Sequence, residues 1–238
     1  IEEQLASADD AAGGWEILVS SSVPEGKGVS SSAAVEVATM SALLGVLGAA
    51  PLEPPERLAL MCQRVENFVV GAPCGVMDQV ASALGHEARL LALLCRPAEV
   101  VNPAVALPAH VRLWGLDSGE RHSVGGSDYG TVRTATFMGL ALVRRARGAG
   151  PPLQHLTELT LAELAQYELP EALTGAAFLE LVPGGTGDAA TTVQPSMTYA
   201  VAACAAHPVA EHERVTRFSE LLSKPESDAQ MSELGSLM

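Results

Sequence analysis

The sequence predicts an α+β chain in two parts, the first over residues 1–108 and the second over 109–238. Three observations lead there. Trp15, Ile17 and Val19 alternate with Glu16 and Leu18 in a strand-like period that runs through a glycine loop into a long apolar stretch with helical spacing. Residues 90–94 and 111–116 are short apolar runs of the length of buried strands. Most of the remainder is helical in period, and a proline-containing connector, 97–108, separates the two parts.

In chain order, residues 1–12 are helix-like, and the chain opens on Ile1 without an initiator Met or a basic stretch leading into an apolar one. After the strand at 15–19 and the loop at 24–28, Ala33, Val37, Met40, Leu44 and Leu47 recur at helical spacing. A second helix is expected over 56–70, with Leu58, Met61, Cys62, Val65 and Val69 as its stripe and Glu66 at the edge of that stripe. Gly71 to Gly75 end it, and a further helix begins near Asp78 and runs to Leu84. In the second part, Gly125-Gly126 precede a helix over 128–147, and a Gly-Pro linker follows at 148–152. Helices are expected at 159–167, 171–181 and 211–222, with a strand at 198–203 and a glycine loop at 183–188. Residues 228–238 look like a helix cut off in mid-course, so the sequence is expected to be a segment of a longer protein, incomplete at both ends.

The 238 residues are 48% hydrophobic and 18% charged, enough to bury one large core or two smaller ones. A net charge of −14 with only 14 Lys and Arg excludes a nucleic-acid face, which needs clustered cations. Small molecules are the expected partners, and the sequence leaves open whether the protein is a monomer or an oligomer. Cys62, Cys74, Cys95 and Cys204 form no CxxC pair or zinc-like spacing, and a reducing cytoplasm suits them. The most apolar stretch, 37–52, is interrupted by Thr39, Ser41, two glycines and Pro51, so no membrane span is expected.

The richest segment is Pro24-Glu25-Gly26-Lys27-Gly28-Val29-Ser30-Ser31-Ser32-Ala33. Glycines let a backbone approach a phosphate, and the free N–H groups and positive dipole end of a helix N-terminus bind one. An ordinary capped helix after a tight turn has the same outline. It is not a Walker A loop, because Gly28 follows Lys27 where Ser or Thr is required. A second constellation joins Glu66 to Asp78 through Gly71-Ala72-Pro73-Cys74-Gly75-Val76-Met77. Two carboxylates beside a phosphate suit a hard cation and a hydroxyl proton. Their plain reading is a solvated helix-edge Glu and a helix-capping Asp. The third is Asp117-Ser118-Gly119-Glu120-Arg121-His122-Ser123, continuing through Gly125-Gly126-Ser127-Asp128 to Tyr129. Read plainly, it is a strand-end His, a helix cap and a Tyr packed on the first turn.

These residues resemble the GHMP kinases. The loop is similar to their second motif, P-x-G-x-G-L-S-S-S-A, with Val29 in place of Leu. The span from Glu66 resembles the E-x6-P-C-G-I-M-D-Q run of galactokinases, and the third run resembles their R-H-S, four residues, acid and Tyr. The wording around Trp114 to Gly119 and Gly125 to Gly130, with Phe178-Leu179-Glu180, is similar to the plant-type arabinokinase branch.

The resemblance implies a two-domain GHMP fold, with an N-terminal part like domain 2 of ribosomal protein S5 and a ferredoxin-like C-terminal part. It implies a sugar 1-kinase using ATP and Mg²⁺, with L-arabinose as acceptor or D-galactose as the alternative. Pro24, Gly26, Lys27, Gly28, Val29, Ser30, Ser31, Ser32 and Ala33 would hold the ATP phosphates. Glu66 with Ser31 or Ser32, Ser32 foremost, would hold Mg²⁺. Asp78 would face the anomeric hydroxyl as base or orienting charge, with Gly75 and Tyr129 as further sugar contacts. The family's first and third motifs would lie before Ile1 and after Met238, and Gly184 to Gly187 come too early to replace the latter, so they read as a surface loop. The segment alone is expected to be a poor catalyst or none. A non-catalytic sugar and nucleotide sensor on the same fold is the rival, disfavoured by the intact Ser30-Ser31-Ser32, Glu66 and Asp78; a mevalonate-type or amino-acid kinase is disfavoured by the Cys74 to Gln79 run.

Overall fold

The computed structural model describes residues 14–96, 98–120, 127–148, 151 and 153–238. The fold is α+β, with helices α1 (Ser31–Val46), α2 (Glu56–Val65), α3 (Met77–Leu84), α4 (Ser127–Arg147), α5 (Leu161–Ala165), α6 (Gly175–Leu181), α7 (Val201–Leu222) and α8 (Asp228–Leu237). Its strands are β1 (Arg89–Leu94), β2 (Glu99–Ala106), β3 (Leu173–Thr174) and β4 (Thr198–Tyr199). Two compact units are present, one from described residues within 1–107 and 112–123, the other from 108–111 and 124–238.

In the first unit, α1, α2 and α3 pack on one another. Ala59, Val76 and Val80 are buried with Leu60, Leu84, Leu91 and Leu93 against them. On α1, Ala33 and Val37, one turn apart, are buried as the periodicity predicts. The second helix is α-helical only to Val65 and then widens into a π-helical turn, Glu66–Val70, ended by Gly71 at φ +82°. Only a residue without Cβ takes that φ without strain.

Strand β1 forms where expected and pairs antiparallel with β2, Arg89 opposite Ala106 and Leu94 opposite Glu99. That corrects the connector expected at 97–108. Pro103 suggests a loop, yet it falls where the register slips, between the Leu90/Val105 and Ala92/Asn102 pairs, so its missing N–H is tolerated. The strand expected at 111–116 does not form: Trp114 and Leu116 are exposed and no strand pairs with this stretch among the described residues. Residues 15–19 likewise make no ladder among the described residues. An alternating pattern needs a partner strand to become a sheet.

The second unit is built on α4 and α7. One core cluster joins Leu140, Val143, Leu153, Leu156, Leu164, Ala205 and Val209; another joins Ala135, Met138, Ala141, Phe178, Tyr199 and Val201. The helices meet closely at Gly139, where a Cβ would come 2.6 Å from that of Ala205. Helix α7 begins ten residues before the expected 211 and passes straight through Pro208. Packing of Val201, Ala205 and Val209 outweighs the lost hydrogen bond, so the strand expected at 198–203 shrinks to the Thr198–Tyr199 bridge with β3. The helix expected at 171–181 is α6, delayed to Gly175 and capped by Thr174. That at 159–167 is reduced to α5, whose Thr160–Glu163 capping box fixes its start. Ser227 caps α8. The sequence features at 1–12, Pro97, His122 and Gly125-Gly126 lie outside the described residues.

Candidate functional site

The loop before α1 is set by three residues in the left-handed region: Gly26 at φ +68°, Gly28 at φ +69° and Ser30 at φ +64°. The glycines adopt it freely, whereas a serine there costs of the order of 1 kcal/mol. Ser30 is the N-cap of α1, but its side chain makes no capping bond, and no acidic residue sits in the first turn. The first backbone bond of the helix runs from Ala34 N to Ser30 O at 3.0 Å. The helix therefore starts with its first N–H groups uncapped by side chains, and the plain reading of an ordinary capped helix fails. A cavity of about 620 Å³ opens beside this turn, lined by Val19, Ser21, Val23, Glu25, Ser31, Ser32, Val35 and Glu36. It combines hydroxyls and a positive helix end with two carboxylates, a mixture that suits an anion together with its cation.

Glu36 leads from the cavity into the protein. Its Oε2 accepts at 3.3 Å from Nε2 of Gln79, and the same Nε2 donates to Oε2 of Glu66 at 2.5 Å. Gln79 is fully buried and Glu66 nearly so, which removes the plain reading of Glu66 as a solvated helix-edge residue. Cys74 adds its S–H to Glu66 Oε2 at 3.2 Å, and Gln63 Nε2 anchors the Cys74 carbonyl at 3.2 Å. Burial, aided by hydrogen bonding to Glu66 and its charge, pushes the Cys74 thiol up to about 12, so it stays a donor. Burial also raises the Glu36 carboxyl above its ordinary value, with the Gln79 hydrogen bond opposing and the Glu66 charge reinforcing. Gln79 Oε1 is buried without a partner. Such an atom costs about 1–3 kcal/mol, and the two carboxylates explain why the amide accepts that cost: turned over, it would aim its oxygen at both.

The other expected residues fall in different places. Asp78 is half-buried in the first turn of α3, whose N-cap is Val76 with no side-chain cap, so Asp78 is not the helix cap of its plain reading. Gly75 lies in the preceding loop, and no atom lies within 4 Å of the position its Cβ would take. The Lys27 ammonium sits 2.9 Å from Asp117 Oδ2, while Asp117 Oδ1 accepts from Gly119 N. Tyr129 lies near the start of α4 in the second unit, partly exposed. Among the described residues no three His, Cys, Asp or Glu converge as a metal cluster. Oxygen donors of the kind a hard cation takes line the cavity in Ser31, Ser32, Glu25 and Glu36, and Glu66 lies behind Gln79 in the same hydrogen-bonded group as Glu36.

Glu36 and Gln79 were not among the expected site residues. Two signals point to them: Glu36 stands four residues after Ser32, hence on the same helix face, and Gln79 follows Asp78 where one side of a short helix must be buried.

Residues 2–86 match the family profile of the GHMP kinases N terminal domain. That segment is similar to the GHMP kinases. The cavity, the uncapped α1 and the Glu36–Gln79–Glu66 group all lie inside the GHMP kinase segment, whereas Tyr129 lies outside it. The chain is 43% identical to an L-arabinokinase of Arabidopsis thaliana over 93% of its own length and 24% of that protein. It is 36% identical to a galactokinase of Chloroflexus aggregans over 67% of its length and 40% of that protein, and 36% identical to one of Roseiflexus over 71% and 42%. The chain thus spans a quarter to two fifths of these relatives. No solved structure matches it.

Proposed function

We propose that the intact protein is a sugar 1-kinase, transferring the γ-phosphate of ATP to the anomeric hydroxyl of a monosaccharide, with L-arabinose as acceptor. The observation that carries this reading is the uncapped first turn of α1, whose Ser31 and Ser32 open onto a cavity that also contains Glu36. The loop from Pro24 through Gly26, Lys27, Gly28 and Val29 to Ser30 brings backbone close to the phosphates, and the helix dipole at Ser31 to Ala33 offsets their charge. Ser32 and Glu66 are the Mg²⁺ ligands, an all-oxygen pair of the kind that ion prefers. Bound there, the ion would neutralise charge developing on the transferred group. Asp78 accepts or orients the acceptor proton, Gly75 lets the backbone approach the sugar, and Tyr129 is a sugar contact from the second part.

The complete protein has the two-domain GHMP fold, S5-domain-like before about residue 108 and ferredoxin-like after it. A cytoplasmic location is supported by four free thiols, Cys62, Cys74, Cys95 and Cys204. Among the described residues no helix is long and apolar enough to cross a membrane.

The similarity to the Arabidopsis L-arabinokinase favours arabinose, and that to bacterial galactokinases keeps D-galactose as the second acceptor. The two sugars differ by one hydroxymethyl group, a difference one pocket wall can sense. The test is ATP turnover by the intact protein with a sugar panel, following the 1-phosphate by phosphorus NMR. L-Arabinose 1-phosphate is the expected product. Preference for D-galactose overturns the acceptor assignment, and no sugar-dependent turnover overturns the kinase reading.

A further inference from the structure

The Gln79 amide donates to two carboxylates, with a third, longer contact to Cys74 Sγ at 3.9 Å, and has one orphaned oxygen. Its Nε2 reaches Glu66 at 2.5 Å and Glu36 at 3.3 Å, while Oε1, fully enclosed, meets nothing. An amide with this pattern has a defined sense: nitrogen toward the acids, oxygen away. One carboxylate would fix that sense weakly, since the group could rotate to find a donor for its oxygen. Two acceptors, on α1 and at the end of α2, hold it from both sides. Glu36 alone of this group lines the cavity, one helical turn beyond Ser32.

We propose that Glu36 and Gln79 are positioning residues for Glu66: Glu36 holds the Gln79 amide in one orientation, and that amide holds the Glu66 carboxylate ready for the cation of the bound nucleotide. The inference rests on the reading of Glu66 as a metal ligand. It adds that the ligand is aligned from the nucleotide side, through α1, so that the helix presenting Ser32 also sets the Glu66 carboxylate. Without the Glu36 acceptor the amide can turn over and place Oε1 against Glu66, which displaces the carboxylate. A glutamine at position 36 would still offer an oxygen and preserve the arrangement.

The experiment measures Mn²⁺ affinity of the intact protein by electron paramagnetic resonance, with a non-hydrolysable ATP analogue present, beside the Mg²⁺ dependence of turnover. Glu36→Ala and Gln79→Leu are expected to weaken Mn²⁺ binding about tenfold and raise the KM for Mg²⁺ to match, with kcat at saturating Mg²⁺ within about threefold. Glu36→Gln is expected to stay within about threefold of the parent for metal affinity. Thermal unfolding reports whether each variant folds; should Glu36→Ala not fold, Glu36→Asp withdraws the acceptor by one methylene and is expected to show the same direction. Unchanged metal affinity in these variants, with binding lost in Glu66→Gln, overturns the positioning role and leaves the metal-ligand reading standing. Unchanged affinity in Glu66→Gln overturns both.

Discussion

Among the described residues each unit buries one glutamine, and the two are used in opposite ways. Gln230, on α8, donates its Nε2 to the carbonyls of Leu221 at 2.8 Å and Lys224 at 3.0 Å, and its Oε1 lies 3.3 Å from His110 Nε2. Every partner is neutral backbone or an imidazole, and the amide ties α8 to the end of α7. Gln79 instead donates into two carboxylates and leaves its oxygen unpaired. Stability alone would select the first arrangement, since satisfied neutral bonds contribute and an orphaned acceptor costs. The second unit is locked by its amide, whereas the first tolerates an imperfect one to keep two acids together. Local cost gathered behind a cavity at a helix start without side-chain caps is the pattern of a working site.

The largest effect expected is on turnover. Glu66→Gln keeps an oxygen for the Gln79 amide but removes the charge, so activity of the intact protein should fall by about a hundredfold or more with the unfolding midpoint unchanged or raised. Activity within threefold of the parent would erase the functional side of the contrast. Next, Gln230→Leu removes the side-chain donor from two backbone carbonyls, of which Leu221 O keeps the Lys224 N–H at 3.0 Å, and should cost about 2 kcal/mol in denaturant unfolding, without altering KM for Mg²⁺. Gln79→Leu deletes the orphaned oxygen along with the donor and should cost less than Gln230→Leu. If it costs more, Gln79 is a structural residue and the contrast is wrong.

Acid titration sharpens the same difference. Asp188 is drawn in by burial, which would raise its carboxyl, but Arg133, bonded at 2.9 and 3.0 Å, holds it below the ordinary value. A depressed carboxylate contributes stability above its unfolded pKa of about 3.9 and loses it as pH falls through the folded value. Glu36 is raised, chiefly by burial, so its sign is reversed: it favours the fold below about 4.5 and ceases to do so as pH rises through its folded value. Measured by urea unfolding against pH, Asp188→Asn should therefore lower stability at pH 7 and Glu36→Gln should raise it, both differences shrinking toward pH 3. A Glu36→Gln protein less stable than the parent at pH 7 would contradict the burial argument.

Much of this was legible in the sequence, for identifiable reasons. Helices α1, α3 and α4 follow their periodicity, and Glu66 and Asp78 stand out because their spacing and the run between them resemble the galactokinase segment. Pairing was not legible: residues 15–19 and 111–116 have strand-like composition but make no ladder among the described residues, while β2 hides behind Pro103. The helix expected only from residue 211 starts at Val201, and buried Val209 shows that packing carries α7 through Pro208. At the site, Glu36 looked like one more polar position on a helix, because its importance lies in sharing an amide 43 residues away. A sequence shows which side chains can do chemistry, but which of them share a partner depends on tertiary packing.

The smallest effect expected concerns Lys27, whose ammonium the structure pairs with Asp117. Both side chains are well solvated, so breaking the pair should leave thermal unfolding unchanged. Its weight is kinetic. Hydrogen bonding to Lys27, then to Gly119, holds the Asp117 carboxyl below its usual range, so the carboxylate competes with any phosphate for Lys27. Asp117→Asn removes the competitor and keeps an acceptor for Gly119. If Lys27 serves the phosphates, the variant should show a modest fall in KM for ATP, about twofold, that fades in high salt as screening weakens the competing pair in the parent. An unchanged KM at low salt would mean that Lys27 belongs with Asp117 as a surface strut, and that the phosphate site of the first unit is made by α1 and its serines.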